Sequence, residues 1–121
     1  MNQFSISKES LRVDVVVAGV IRAHFRGRSA LRQPETFLVS LFDDLTIRAL
    51  DLKTPLHLHF EELEFFNSAT ISCVIQRLIA VRDKGVQTTV RYDARQKWQK
   101  AFFEAVAMLR GSAGNLQVQS V

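Results

Sequence analysis

The segment from Leu56 to Ile79 constrains the fold most, because two different hydrophobic periods meet in it across a few residues. Leu56, Leu58 and Phe60 alternate with His57 and His59, the two-residue period of a strand with one buried face. Ile71, Val74, Ile75, Leu78 and Ile79 then recur at helical spacing, and Gly85 is placed to end that helix near Lys84. Between the two patterns, Leu63-Glu64-Phe65-Phe66-Asn67-Ser68-Ala69-Thr70 closes in a small polar turn. Asn67, Ser68 or Thr70 can cap the helix there, with its free amides and the positive end of its dipole behind.

The same alternation extends along the chain. Phe4 to Ser7 and Val13 to Ile21 read as strands, an antiparallel pair around Lys8-Glu9-Ser10, and residues 22–33 read as a polar, Arg-rich connection. A helix is expected from Pro34 to about Leu50, with Leu38, Leu41, Phe42, Leu45 and Ala49 on one face. Val86, Thr88, Val90 and Tyr92 then alternate with Gln87, Thr89 and Arg91. A third helix over 95–110 is expected to bury Trp98, Ala101, Phe102, Ala105, Val106 and Leu109, and Leu116 and Val118 mark a last strand. Strands that alternate with helices form a largely parallel sheet, since each crossover needs a connection of that length. The strands at 56–60, 86–92 and 115–119 are apolar on one face only, so the helices are expected mainly on one side. The other side then carries His57, His59, Gln87, Thr89 and Arg91. The expected class is α/β, a single domain with a mixed, mostly parallel sheet of four to five strands.

Size and composition limit what this domain can do. With 121 residues and 47% hydrophobic content, residues 1–121 are expected to form one domain with a core of its own. No apolar run approaches the roughly 18 residues of a membrane span. Met1-Asn2-Gln3-Phe4-Ser5 has no basic n-region leading into an apolar stretch, so a cytoplasmic location is expected. Cys73 is the single cysteine and lies off the helical stripe, which rules out an internal disulfide.

Signals for catalysis are weak. The chain has no Cys-x-x-Cys, no His-Glu-x-x-His, no phosphate-cradling glycine loop and no Gly-x-Ser-x-Gly turn. His57 and His59 could share a metal only with further ligands, and His24 is the one histidine left to help. Glu61, Glu62 and Glu64 crowd before the Ser68 turn without a nucleophile or an electrophilic anchor beside them. The expectation is therefore no catalytic residue, no metal and no cofactor. Sixteen basic against twelve acidic residues give a net charge of +4, and Arg22, Arg26, Arg28 and Arg32 fall in a stretch without acids. The stretch lacks the exposed aromatics interleaved with basic residues that a nucleic-acid surface would need, so a nucleic-acid partner is disfavoured.

Phe65-Phe66-Asn67-Ser68-Ala69-Thr70-Ile71 resembles the signature of the STAS family, the anti-sigma factor antagonists and their relatives. In that signature a strand runs into Phe-Met/Ile-Asp-Ser-Ser/Thr-Gly-Leu and then a helix. The hydrophobic lead-in, the first serine at Ser68 and the aliphatic Ile71 match. Asn67 stands for the usual Asp, Ala69 for the usual phosphoacceptor and Thr70 for the Gly. The resemblance implies a non-enzymatic regulatory domain that binds an anti-sigma or serine-kinase type of protein in a partner-switching pathway. It places the partner surface on Asn67, Ser68, Ala69, Thr70, Ser72 and Cys73, with Ser68 and Thr70 as phosphorylation candidates. A phosphate there would sit on the helix dipole. Ala69 and Thr70 suit an alternative, an unswitched adaptor like the STAS subunits that dock on ABC-type lipid transporter ATPases.

Overall fold

The computed structural model describes residues 2–121. Its elements run β1 (Asn2–Lys8), β2 (Leu11–Val17), β3 (Ile21–Ser29), α1 (Glu35–Leu52), β4 (Leu56–His59), β5 (Leu63–Phe66), α2 (Ser68–Asp83), β6 (Thr88–Tyr92), α3 (Lys97–Ala107) and β7 (Leu116–Ser120). One mixed sheet has the order β1-β2-β3-β4-β6-β7, with β5 joined to β3 beyond the end of β4. The β1-β2 and β2-β3 pairs are antiparallel, and the β3-β4, β3-β5, β4-β6 and β6-β7 pairs are parallel. This is a single α/β domain with a helix layer on one face.

The sheet has seven strands where four to five are expected from sequence. One extra strand comes from residues 22–33, which are a strand through Ser29 and not a connection. Ile21, Ala23 and Phe25 point into the core, while Arg22, His24 and Arg26 take the other face. A strand whose outer face is almost wholly cationic has a low mean hydropathy and reads as a loop, although its period of two is intact. β5 is a second short strand after a break at Phe60-Glu61-Glu62. Gln99 of α3 staples that break from inside. Its Nε2 donates to the Phe60 and Leu63 carbonyls at 2.7 and 2.9 Å, and its Oε1 accepts from the Asp93 amide at 2.7 Å.

All three helices pack on one face, against Leu11, Val13, Val15, Ile21, Phe25, Leu58, Phe60 and Val90. Phe25 stacks on Phe60 at 4.5 Å between ring centres, and Phe60 meets Phe103 at 5.1 Å. Here the sequence phase of α3 needs correcting. Phe103, Val106 and Gln99 are its buried residues, Trp98 and Phe102 are half-buried, and Ala101 and Ala105 face outward. The helix is shorter than expected, and its register is set by Gln99 reaching the strand break, which turns Phe103 inward and moves Phe102 to the flank.

The opposite face is open. Pairing aligns Ser5, Asp14, His24, His59, Arg91 and Gln119 in one row across the sheet. His57, Thr89 and Arg91 lie on this face with no helix over them. No helix among the described residues is long and apolar enough to cross a membrane.

Candidate functional site at the start of helix α2

The turn into α2 is held by a hydroxyl-amide network that starts in β3. Gly27 makes it possible: at φ +86° it stands where the β3–β5 register shifts, between the Gly27–Leu63 and Arg28–Phe65 pairs, and a Cβ there would lie 2.1 Å from the Ser10 carbonyl oxygen. Beyond that bulge, β3 reaches Ser29, which is fully buried. The Ser29 hydroxyl lies 2.7 Å from the Thr70 hydroxyl, and the Thr70 hydroxyl donates to Asn67 Oδ1 at 2.6 Å. With the Thr70 proton committed to Asn67, Ser29 is the donor of the first bond. Asn67 Oδ1 also accepts from the Thr70 amide at 2.9 Å, and this makes Asn67 the helix cap among the three candidates.

The same geometry accounts for Asn where the STAS signature has Asp. Asn67 Nδ2 donates to the Leu31 carbonyl at 3.0 Å, a bond that an ionised carboxylate would replace with oxygen facing oxygen. The Asn67 amide donates to the Ser29 carbonyl at 2.9 Å. Asn67 therefore ties α2 to both β3 and the loop that follows it.

These contacts divide the six residues of the expected surface. Ser68 and Ser72 are exposed, and Asn67 and Ala69 are half-exposed. Thr70 is fully buried, and Cys73 is 3% exposed. Neither side chain is available to a partner or a kinase, which corrects their inclusion. The reason for Thr70 is its bond to Ser29, a residue placed on an irregular connection in the sequence reading. Cys73 is buried because α2 is covered on more than its Val74-Leu78-Val81 stripe, with α1 packed against it. Burial pushes the Cys73 thiol above its ordinary range, helped by the nearby Glu35 carboxylate.

Charges near the turn are largely spoken for. Arg26 pairs with both Asp14, at 2.9 Å, and Glu62. Glu61 lies 3.2 Å from His59 Nδ1, so of the three glutamates only Glu64 is free and exposed. Arg28 sits over the ring of Phe65 at 5.5 Å, and Phe65 is 40% exposed. Phe65 of this pair lies two residues before the cap, and sequence reading passes over it. The available signal was that Phe65 and Phe66 are adjacent, so in a strand one of them must face away from the core. The Arg22 to Arg32 stretch is thus interleaved with cross-strand acids and an aromatic, and is not a free basic run.

The open sheet face carries all three histidines of the chain. His24 and His59 stack at 4.3 Å with rings 13° from parallel, and His57 lies 6.2 Å from His59. Stacked rings direct their nitrogens away from a shared point, and among the described residues no three histidines, cysteines or carboxylates converge on a metal position. Burial lowers the pKa of both His57 and His59, and Arg22 and Arg91 add to the effect at His57.

Comparison with known proteins places this architecture. No protein-family model and no curated relative matches the sequence. Among solved structures, SiaC of Pseudomonas aeruginosa superposes with a TM-score of 0.70 at 15% identity, over 100% of both chains. The apo-SiaC crystal structure from the same organism gives 0.70 at 17%, covering 98% of this chain and 99% of the other. A chain in the structure of the diguanylate cyclase SiaD with its activator SiaC, also from P. aeruginosa, gives 0.69 at 17% over 98% and 99%. At these identities the likeness is one of fold: the chain has the fold of SiaC, a protein that acts by binding a protein partner.

Proposed function

We propose that this chain is a non-enzymatic regulatory domain that binds a signalling protein through the exposed start of α2, with Ser68 as the residue that controls the contact. The observation that carries this reading is the division of labour in the turn. Asn67, Thr70 and Ser29 spend their polar groups on fixing the backbone, while Ser68 leaves its hydroxyl exposed at the first position of α2. A phosphate on Ser68 would meet free amides and the helix dipole, and α2 has no acidic residue in its first turn to oppose it. It would add about −1.5 to −2 charge. Phe65, Ser68 and Ser72 would supply an apolar anchor and polar contacts for the partner. The fold shared with SiaC, found in complex with a diguanylate cyclase, favours a signalling enzyme as the partner over a transporter.

The unswitched adaptor is the second reading, and Ala69 at the usual acceptor position is the observation that favours it. Recovering the partner by affinity capture with wild-type, Ser68→Ala and Ser68→Asp proteins, together with intact-mass measurement of protein from its native cells, separates the two. The switched reading expects capture by Ser68→Ala, loss with Ser68→Asp and a phosphorylated fraction in cells. Equal capture by all three without added mass supports the adaptor.

A further inference from the structure

The helix layer stops short of one edge of the sheet. Beside β1, α1 leaves a groove of about 960 Å³ whose apolar lining includes Phe4, Ile6, Phe37 and Leu41. β1 pairs with β2 on one side, and among the described residues no strand pairs with its other side. Natural sheets blunt such edges with proline, bulges or inward charge. β1 is seven residues of unbroken strand, Asn-Gln-Phe-Ser-Ile-Ser-Lys, with a single charge at its end. Lys8 and Leu11 close a two-residue turn, so they form a hydrogen-bonded pair, and alternation turns the backbone groups of Gln3, Ser5 and Ser7 outward to the free edge.

From this edge and groove we infer that two copies of the chain pair antiparallel through β1, about a two-fold axis at Ser5. In that register Phe4 faces the partner's Ile6 on the inner side, an aromatic-aliphatic cross-strand pair of the kind that stabilises sheets. Ser5 faces its own copy, Gln3 faces the partner's Ser7, and Asn2 faces the partner's Lys8, so no like charges are opposed. The groove rim carries Lys8 and Arg32 against Glu9 and Asp44, and Arg48 sits over the Phe4 ring at 4.9 Å while paired with Asp44, so the patch holds three basic against two acidic groups and is close to neutral, although the chain carries +4. A two-fold interface sets a patch against itself, and only a patch close to neutral does so without repulsion. A foreign extended segment would place no such symmetric demand on the β1 sequence. The inference rests on the β1 edge and not on the Ser68 turn, although Leu31 of the groove lining accepts a hydrogen bond from Asn67 of that turn.

Sedimentation velocity of the tag-free full chain over a wide concentration range tests it. The expected mass is twice the 13.8 kDa of one chain, with dissociation on dilution. Ser5→Pro removes an outward N–H and leaves the β2 pairing in place, and Ile6→Glu puts a carboxylate into the half-buried seam. Both variants are expected to sediment as monomers, with circular dichroism reporting an intact fold. A wild-type chain that stays monomeric at the highest concentration overturns the inference. So do folded variants of both kinds that remain dimeric.

Discussion

The two faces of the sheet are built from the same strands and hold together by different physics. The inner face is a continuous apolar layer in which Phe25, Phe60 and Phe103 interlock beneath the helices. The outer face is a polar row, with Ser5 and Arg12 bonded to Asp14 and Arg26 bridging Asp14 and Glu62. Burial and shape complementarity make the first face intolerant of change, whereas solvent screens the second. The turn into α2 lies where the two regimes meet. Its buried half is locked by Ser29 and Thr70, and its exposed half is free to carry function.

Four measurements sharpen or break this contrast, beginning with the largest effect. Phe60→Ala removes a ring that touches Phe25, Phe66 and Phe103, and chemical denaturation should show a loss of about 3–5 kcal/mol. A loss below about 1 kcal/mol would mean that the inner face is not close-packed there. Gln99→Leu keeps the volume but removes the side-chain bonds to the Phe60 and Leu63 carbonyls and takes the acceptor from the Asp93 amide, and the expected cost is about 1–3 kcal/mol. An unchanged stability would show that the strand break does not depend on the staple.

The third measurement uses pH. Burial holds the pKa of His57 and His59 below the ordinary 6.5, so the unfolded chain takes up protons that the folded chain resists. The melting temperature should therefore hold steady above about pH 7 and fall as pH drops below about 6.5, and His59→Gln should flatten the decline. Asp14 behaves differently. Its hydrogen bond from Ser5 and its bonds to Arg12 and Arg26 hold its carboxyl at about 2, so its stabilisation persists until pH falls from about 4 towards that value. A melting temperature that rises on acidification from neutrality would contradict the burial of His59. The smallest effect belongs to Arg12→Ala, an exposed partner of Asp14, with an expected loss under about 1 kcal/mol.

The helices and the central strands were legible in the sequence because each carries one clean period. α1 and α2 start and end within about two residues of where Pro34, Asn67 and Gly85 place them. β3 escaped notice because its outward positions are Arg22, His24, Arg26 and Arg28, a composition that resembles a loop while its partners Asp14 and Glu62 come from distant sequence. Phe103 was missed because its neighbour Phe102 fits the same helical stripe, and only Gln99 bonding to a broken strand decides between them. The motif position of Ser68 could be read directly. The burial of Thr70 could not, since it depends on Ser29 lying in a strand that passes behind the turn.

The most direct test of the central claim, that the exposed half of the α2 turn is the partner surface, is calorimetric titration of the recovered partner into Ser68→Asp, with Gln76→Asp as a matched charge change further along the exposed side of α2. The account predicts that Ser68→Asp weakens binding at least about tenfold, equivalent to about 1.4 kcal/mol, and that Gln76→Asp has a smaller effect. Equal affinity for wild type and Ser68→Asp would contradict it.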